Sequence, residues 1–167
     1  MNKRIYLDSN VFIALIKEEI DSQFNARYIE SKNFFSYCAQ EKHILILSEL
    51  FFYEVQKITF MNKNSIEQEL KEMGLELIFA KKPCKKLALK IIHETKIHFD
   101  DAMHVATAIE NKADFIITFN FAKDFCISAS EPPGKAVYPY VPLNRVSPVK
   151  ITLSPNKQIP PAVWPGV

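Results

Sequence analysis

Glycine is scarce in this chain, with only three residues, at positions 74, 134 and 166. Their spacing excludes a G-x-G-x-x-G dinucleotide fingerprint, a phosphate-binding loop and the G-x-S-x-G elbow of serine hydrolases. The three cysteines, Cys38, Cys84 and Cys126, form no C-x-x-C pair. A disulfide framework or a cysteine-rich zinc site is therefore not expected. Any chemistry must come from other side chains.

Long apolar runs are also lacking. No segment has the roughly eighteen consecutive apolar residues of a membrane-spanning helix, and Asp8 interrupts the N-terminus before a signal-type apolar region could form. A cytoplasmic protein without membrane contact is therefore expected. The net charge of +2 is too small to indicate nucleic-acid binding by itself, although lysines cluster locally between Lys81 and Lys90.

The remaining composition is that of one globular domain. The 167 residues are 48% hydrophobic and 24% charged, which suits a single core rather than a disordered chain. Four apolar runs predict strands, and amphipathic stretches between them predict helices. This alternation predicts an α/β fold with three α/β/α layers and a mostly parallel sheet of about five strands. The predicted strands are 5–7, 44–47, 75–79 and 115–118.

Polar residues at the starts of the amphipathic stretches predict where the helices begin. Asn10, Ser48 and Asp100 each stand where a side chain can accept from the free N–H groups of a first turn. Ser65 with Gln68 resembles a capping box for a helix that Gly74 terminates. A further helix is expected from Pro83 toward Thr95.

The C-terminal segment differs in composition. Nine of the ten prolines lie beyond position 131, which favours a long Pro-rich loop at about 127–148. Residues 149–153 alternate like a final strand. We therefore expect one domain over 1–154, followed by a Pro-rich C-terminal tail over 155–167.

Carboxylates fall where ligands bind in open α/β sheets, just beyond the carboxyl ends of the strands. Asp8 ends the first strand, Glu54 lies two turns into the helix after the second, and Asp101 opens the helix before the fourth. Asn120 and Asp124 follow the fourth strand. Each acid alone also fits a structural role, as a turn residue, a solvated helix residue or a favourable charge at a helix N-terminus.

Together these acids indicate a metal site. Carboxylates a few ångströms apart repel by about 4 kcal/mol per pair at an effective dielectric constant of about 20. A cation among them removes this cost, and ligand sets made of oxygen suit Mg²⁺ or Mn²⁺. Such an ion activates water and neutralises charge on a phosphate, so the predicted chemistry is phosphodiester hydrolysis.

Four segments carry a family resemblance: residues 5–11, 47–55, 100–108 and 117–125. In order and spacing they resemble the motifs of PIN-domain nucleases, including the VapC-like toxins of bacterial toxin–antitoxin pairs. The resemblance implies metal binding by three carboxylates, support from four neighbouring residues, and a fourth catalytic position where many family members carry aspartate. The implied metal ligands are Asp8, Glu54 and Asp101, the supporting residues are Ser9, Asn10, Asp100 and His104, and the fourth position is shared between Asn120 and Asp124.

The function implied by the resemblance is a Mg²⁺- or Mn²⁺-dependent endoribonuclease that acts on RNA as a homodimer, with an antitoxin protein as partner if the chain is a toxin. Two alternatives stay open. The neutral Asn120 is compatible with a catalytically weak PIN-like domain that binds RNA or protein. The Asp8-x-Asn10 segment partly resembles haloacid-dehalogenase-type phosphatases, although those enzymes usually carry a second aspartate where Asn10 stands.

Overall fold

Short strands alternate with helices in the computed structural model, which describes residues 2–22, 24–82, 85–119 and 140–142. Within these ranges, no helix is long and apolar enough to cross a membrane. The elements in chain order are β1 (Arg4–Leu7), α1 (Ser9–Ile16), α2 (Arg27–Gln40), β2 (Ile44–Leu47), α3 (Glu49–Thr59), α4 (Lys63–Glu72), β3 (Glu76–Phe79), α5 (Lys85–Thr95), α6 (Phe99–Glu110), β4 (Phe115–Ile117) and β5 (Tyr140–Pro142).

The strands form one sheet in the order β3-β2-β1-β4-β5. The first four are parallel, and β5 joins the edge antiparallel to β4, with Ile116 opposite Val141. The predicted α/β class with a mostly parallel sheet of about five strands is confirmed. The fifth strand, however, lies within the segment expected to be a loop. The strand predicted at 149–153 and the tail at 155–167 lie outside the described residues.

Alternation along β1 sends side chains to both faces of the sheet. Ile5 and Leu7 pack into a core with buried residues of α1, α2, α3 and α4. Tyr6 points to the opposite face, where it packs with Ile46, Ala108 and Ile116 beneath α6. The helices therefore cover the sheet on two sides, and β1 lies between two other strands at its centre.

One predicted helix cap and one predicted helix stop are present. The hydroxyl of Ser48 accepts a hydrogen bond of 3.0 Å from the backbone N–H of Phe51, which fixes the start of α3. Gly74 follows the end of α4 with a φ of +77°, a left-handed conformation that costs glycine little. Both signals depend on local chemistry alone, which explains why the sequence carries them.

Two other cap predictions were wrong. Helix α1 begins at Ser9, with Asp8 at its N-cap position, so Asn10 already lies inside the helix and its side chain bonds elsewhere. Helix α4 is capped by Asn62, whose side chain accepts from the backbone N–H of Ser65. The side chain of Gln68 instead bonds Glu72.

The cap predicted at Asp100 was also wrong. Helix α6 starts at Phe99, two residues earlier than a cap at Asp100 would place it, with His98 at the N-cap position and no side-chain cap. Asp100 and Asp101 therefore both lie in the first turn, where their negative charge interacts favourably with the N-terminal end of the helix dipole. The helix predicted to start at Pro83 is described from Lys85 onward.

Candidate metal centre

Three side chains converge at the carboxyl edge of the sheet. Asp8 follows directly after β1, Glu54 projects from α3, and His104 projects from α6. One carboxylate oxygen of each acid and one ring nitrogen of the histidine all lie within 4.8 Å of one another. Two of the predicted metal ligands, Asp8 and Glu54, are therefore brought together by the fold.

Asp101, the third predicted ligand, lies in the first turn of α6, one turn before His104, and is not a member of this group of three. Its carboxyl group nevertheless responds to the group's charges. Burial raises the pKa of Asp101, the positive charge of a protonated His104 opposes that rise, and the negative charge of Asp8 adds to it. Asp101 is therefore a half-buried carboxyl group within the electrostatic range of the cluster.

Ser9, the first residue of α1, holds Glu54 in place. Its hydroxyl donates to Glu54 Oε2 at 2.5 Å, while the Asp8 Oδ1 atom is 3.4 Å away. One hydroxyl has one proton to donate, and the shorter contact with the better distance is the one to Glu54. Ser9 is buried, so water does not compete freely for this bond.

Asn10 holds Asp8 in the same way and also ties two strand ends together. Its Nδ2 atom donates to Asp8 Oδ2 at 3.0 Å and to the hydroxyl of Thr118 at 2.8 Å. Its Oδ1 atom accepts from the backbone N–H of Phe119 at 3.0 Å. The segment after β4 is thus fixed against the segment after β1, and the support expected of Asn10 has a definite geometry.

His104 is 5% exposed and touches both carboxylates through one ring nitrogen. Nε2 lies 3.3 Å from Glu54 Oε2 and 3.7 Å from Asp8 Oδ1. Burial alone would lower the pKa of His104, but the hydrogen bond to Glu54 and the charges of Asp8, Glu54 and Asp101 raise it overall. A positive charge on this imidazole is therefore stabilised by its neighbours.

The pKa of Glu54 moves in the opposite direction. Burial would raise it, but the hydrogen bonds with His104 and Ser9 and the charge of His104 hold the pKa below its usual range. The two shifts agree, since both favour an ionised Glu54 beside a protonated His104. Of the remaining predicted residues, Asp100 is exposed, and Asn120 and Asp124 lie outside the described residues.

Sequence reasoning missed the polar groups behind His104. The hydroxyl of Tyr6 lies 2.8 Å from His104 Nδ1 and 2.8 Å from the hydroxyl of Ser48. Ser48 was predicted only as a helix cap, and Tyr6 only as part of an apolar strand. The available signal was a hydroxyl-bearing side chain in the centre of a strand whose neighbours are aliphatic, since a buried tyrosine usually finds a partner for its O–H.

The donor set fits a divalent cation. Asp8 and Glu54 supply carboxylate oxygens, and Asp101 adds a third carboxylate nearby, on which the charge of His98 also acts. Among the described residues, His104 is the cationic group that contacts the two acids. Three carboxylates exceed the single positive charge that this imidazole can carry. A hard dication would balance the excess, and oxygen donors are the ligands that such ions prefer.

The chain thus has an acidic cluster at the carboxyl edge of a mostly parallel sheet that helices cover on both faces. The family model of the PIN domain matches residues 5–125, and the chain belongs to this family. PIN domains are generally metal-dependent nucleases, in agreement with the group formed by Asp8, Glu54 and His104. A search of curated proteins found no match to the chain.

Proposed function

We propose that this PIN domain is an endoribonuclease that hydrolyses phosphodiester bonds of RNA with Mg²⁺ or Mn²⁺ as cofactor. The observation that carries the proposal is the convergence of Asp8 and Glu54, whose ligand atoms lie within 4.8 Å of each other and of His104. Holding two carboxylates this close has an electrostatic cost. A bound cation would remove this repulsion, and its attraction to both carboxylates would favour its binding.

Asp8 and Glu54 would hold the cation, with Asp101 as the third carboxylate. When bound, the ion supplies an acidified water and neutralises charge that develops on the phosphate. The chain's own contribution is orientation. Ser9 directs Glu54 and Asn10 directs Asp8 through hydrogen bonds of 2.5 and 3.0 Å, so both carboxylates are preorganised before substrate arrives.

RNA as the substrate is supported by the surface beside the cluster. The lysines at 81, 82, 85 and 86 are all exposed and can contact the phosphate backbone. Lys82 Nζ lies 3.4 Å from Glu49 Oε2, which places this basic segment next to α3. Tyr53, immediately before Glu54, is 64% exposed and offers a ring on which an unpaired base can stack.

The biological setting is proposed from the family resemblance alone. On that basis the enzyme works in the cytoplasm as a homodimer, and as the toxin of a pair whose antitoxin partner blocks the acidic cluster. Induced expression should arrest growth, and the Asp8→Ala variant expressed at the same level should not. Normal growth with active enzyme would instead identify a processing nuclease.

The direct test is RNA cleavage by purified protein. The wild type should cleave RNA with Mn²⁺ or Mg²⁺, lose activity on chelation and regain it when metal is restored. Asp8→Ala and Asp101→Ala should be inactive. The matched control is Glu72→Gln on α4, where the residue is exposed and activity should be retained.

A catalytically weak binding domain, the alternative function, would give different results in RNA binding and cleavage assays. It would bind RNA without cutting it, and the three acids could then be replaced with no change in RNA affinity beyond a charge effect.

Cleavage that persists in both Asp8→Ala and Asp101→Ala would point to a contaminating nuclease and would contradict the proposed site.

A further inference from the structure

Tyr6 occupies a central place behind the acidic cluster. It lies in β1 at the middle of the sheet and is 0% exposed. Its single hydroxyl contacts Ser48 Oγ, at the start of α3, and His104 Nδ1, in α6, each at 2.8 Å. One atom thus connects the strand that precedes Asp8, the helix that carries Glu54 and the helix that carries Asp101.

When His104 is neutral, the protons of this network have one consistent arrangement in the metal-free protein. His104 Nε2 faces the carboxylates of Glu54 and Asp8, and ionised carboxylates can only accept hydrogen bonds. Nε2 must therefore carry a proton. In the neutral imidazole, Nδ1 is then an acceptor, so the Tyr6 O–H must be the donor to Nδ1.

The same logic continues to the helix cap. Because the Tyr6 proton points at His104, the Tyr6 oxygen accepts the proton of the Ser48 hydroxyl. The Ser48 oxygen in turn accepts from the backbone N–H of Phe51. Each donor between the first turn of α3 and His104 Nε2 therefore has one acceptor. The successive donors all point in the same direction, from the start of α3 toward the acids.

We propose that Tyr6 is a positioning residue of the candidate metal centre: its hydroxyl fixes the ring of His104 so that the Nε2–H group points at Glu54 and Asp8. Tyr6 does not touch the acids itself. It acts through His104, which restrains the carboxylate oxygens that the cation would use. The consequence for metal binding rests on the proposed function; the hydrogen-bond arrangement does not.

The positioning role depends on the buried hydroxyl of Tyr6 and not on its ring. The rings of Tyr6 and His104 also meet edge to face, with centroids 5.8 Å apart, and phenylalanine would keep that contact. Tyr6→Phe would remove only the oxygen and leave His104 Nδ1 without its donor in a buried position. Nε2 would keep its proton, because it still faces two carboxylates, but the ring would lose the hydrogen bond that restrains its orientation at Nδ1.

The decisive measurement is the ¹⁵N chemical shifts of the His104 ring in metal-free protein at alkaline pH, where the imidazole is neutral. In the wild type, the shifts should show a protonated Nε2 and an acceptor Nδ1. In Tyr6→Phe, Nε2 should stay protonated and the Nδ1 shift should change, because that nitrogen loses its hydrogen-bond donor. A wild-type ring protonated at Nδ1, or identical shifts in the two proteins, would overturn the proposal. The wild-type result needs no variant to fold.

Two controls separate positioning from general destabilisation. Ser48→Ala removes the cap of α3 but leaves the Tyr6–His104 hydrogen bond, so it should lower thermal stability with little change in the His104 Nδ1 shift. Tyr53→Phe removes an exposed hydroxyl and should change neither. A change of the Nδ1 shift in Ser48→Ala as large as that in Tyr6→Phe would contradict a specific role for Tyr6.

Metal affinity provides the second readout. Tyr6→Phe should weaken Mn²⁺ binding, measured by calorimetry, by roughly tenfold, the loss typical of groups that orient metal ligands. Unchanged affinity would overturn the positioning role. If the wild type bound no metal and cleaved no RNA, the proposed function would fail, while the ring shifts would still decide the role of Tyr6.

Discussion

The Ser9 hydroxyl lies 2.5 Å from Glu54 Oε2, although the two residues are 45 positions apart in the sequence. This contact joins the first residue of α1 to the middle of α3. Because Ser9 directly follows Asp8, the hydrogen bond also holds Glu54 toward Asp8. The neutral side chain of Ser9 therefore helps to set the separation of the two carboxylates. A search for acidic residues alone would not find it.

Replacing Ser9 with alanine should raise the pKa of Glu54, because one of the hydrogen bonds that holds it low is lost. Mn²⁺ affinity should fall by roughly tenfold. Carbon NMR of the Glu54 carboxyl group gives the pKa, and calorimetry gives the affinity. Ser9→Thr should restore both, and Ser65→Ala at an exposed position should have no effect. An unchanged Glu54 pKa in Ser9→Ala would refute this assignment.

Asn10 is expected to matter for stability as well as for the site. Asn10→Ala removes the bonds to Asp8, Thr118 and the backbone of Phe119. The free energy of unfolding should fall by about 1–3 kcal/mol, because buried partners lose their hydrogen bonds. Urea denaturation measures the change. Asn64→Ala, at an exposed position on α4, is the matched control, and an equal loss in both variants would count against the network.

The stability of the metal-free protein should depend on pH through His104 and Glu54. The pKa of His104 is raised above its ordinary value of 6.5, so its stabilisation is complete below pH 6.5 and is lost as the pH rises through the folded-state pKa. The pKa of Glu54 is lowered from 4.5, so its contribution is present above pH 4.5 and is lost as the pH falls through the depressed value.

Thermal unfolding with chelator present should therefore show a maximum in the interval between these ordinary values, with a decline on the alkaline side. His104→Gln should remove much of that alkaline decline. His93→Gln, an exposed histidine on α5, should leave it unchanged. A decline of the same slope in His104→Gln would show that another group is responsible.

Local signals predicted much of the fold. The four parallel strands were predicted because each is a short apolar run, and Ser48 and Gly74 mark helix ends by chemistry that acts within one turn. Helix α2 was not predicted, since its charged residues interrupt the periodicity around Phe34, Phe35 and Cys38. The caps at Asn10 and Asp100 were wrong because a tertiary partner, or a helix start two residues earlier, outweighed local preference.

The sequence identified a site residue directly only where a carboxylate stands at the end of a predicted strand. Asp8 meets that condition, and Glu54 and Asp101 were found through their place on helices and the family resemblance. Sequence spacing could not show that His104 Nε2, rather than a third carboxylate, completes the group within 4.8 Å. That outcome depends on how α6 packs over Tyr6, which is a property of the sheet face and not of any motif.

Calorimetric titration of Mn²⁺ into the metal-free protein tests whether Asp8 and Glu54 form a site for a divalent cation. We expect saturable binding by the wild type, at least about tenfold weaker binding by Glu54→Gln, and wild-type binding by Glu49→Gln. No binding by the wild type at millimolar Mn²⁺, or equal affinity in Glu54→Gln and the wild type, would contradict it.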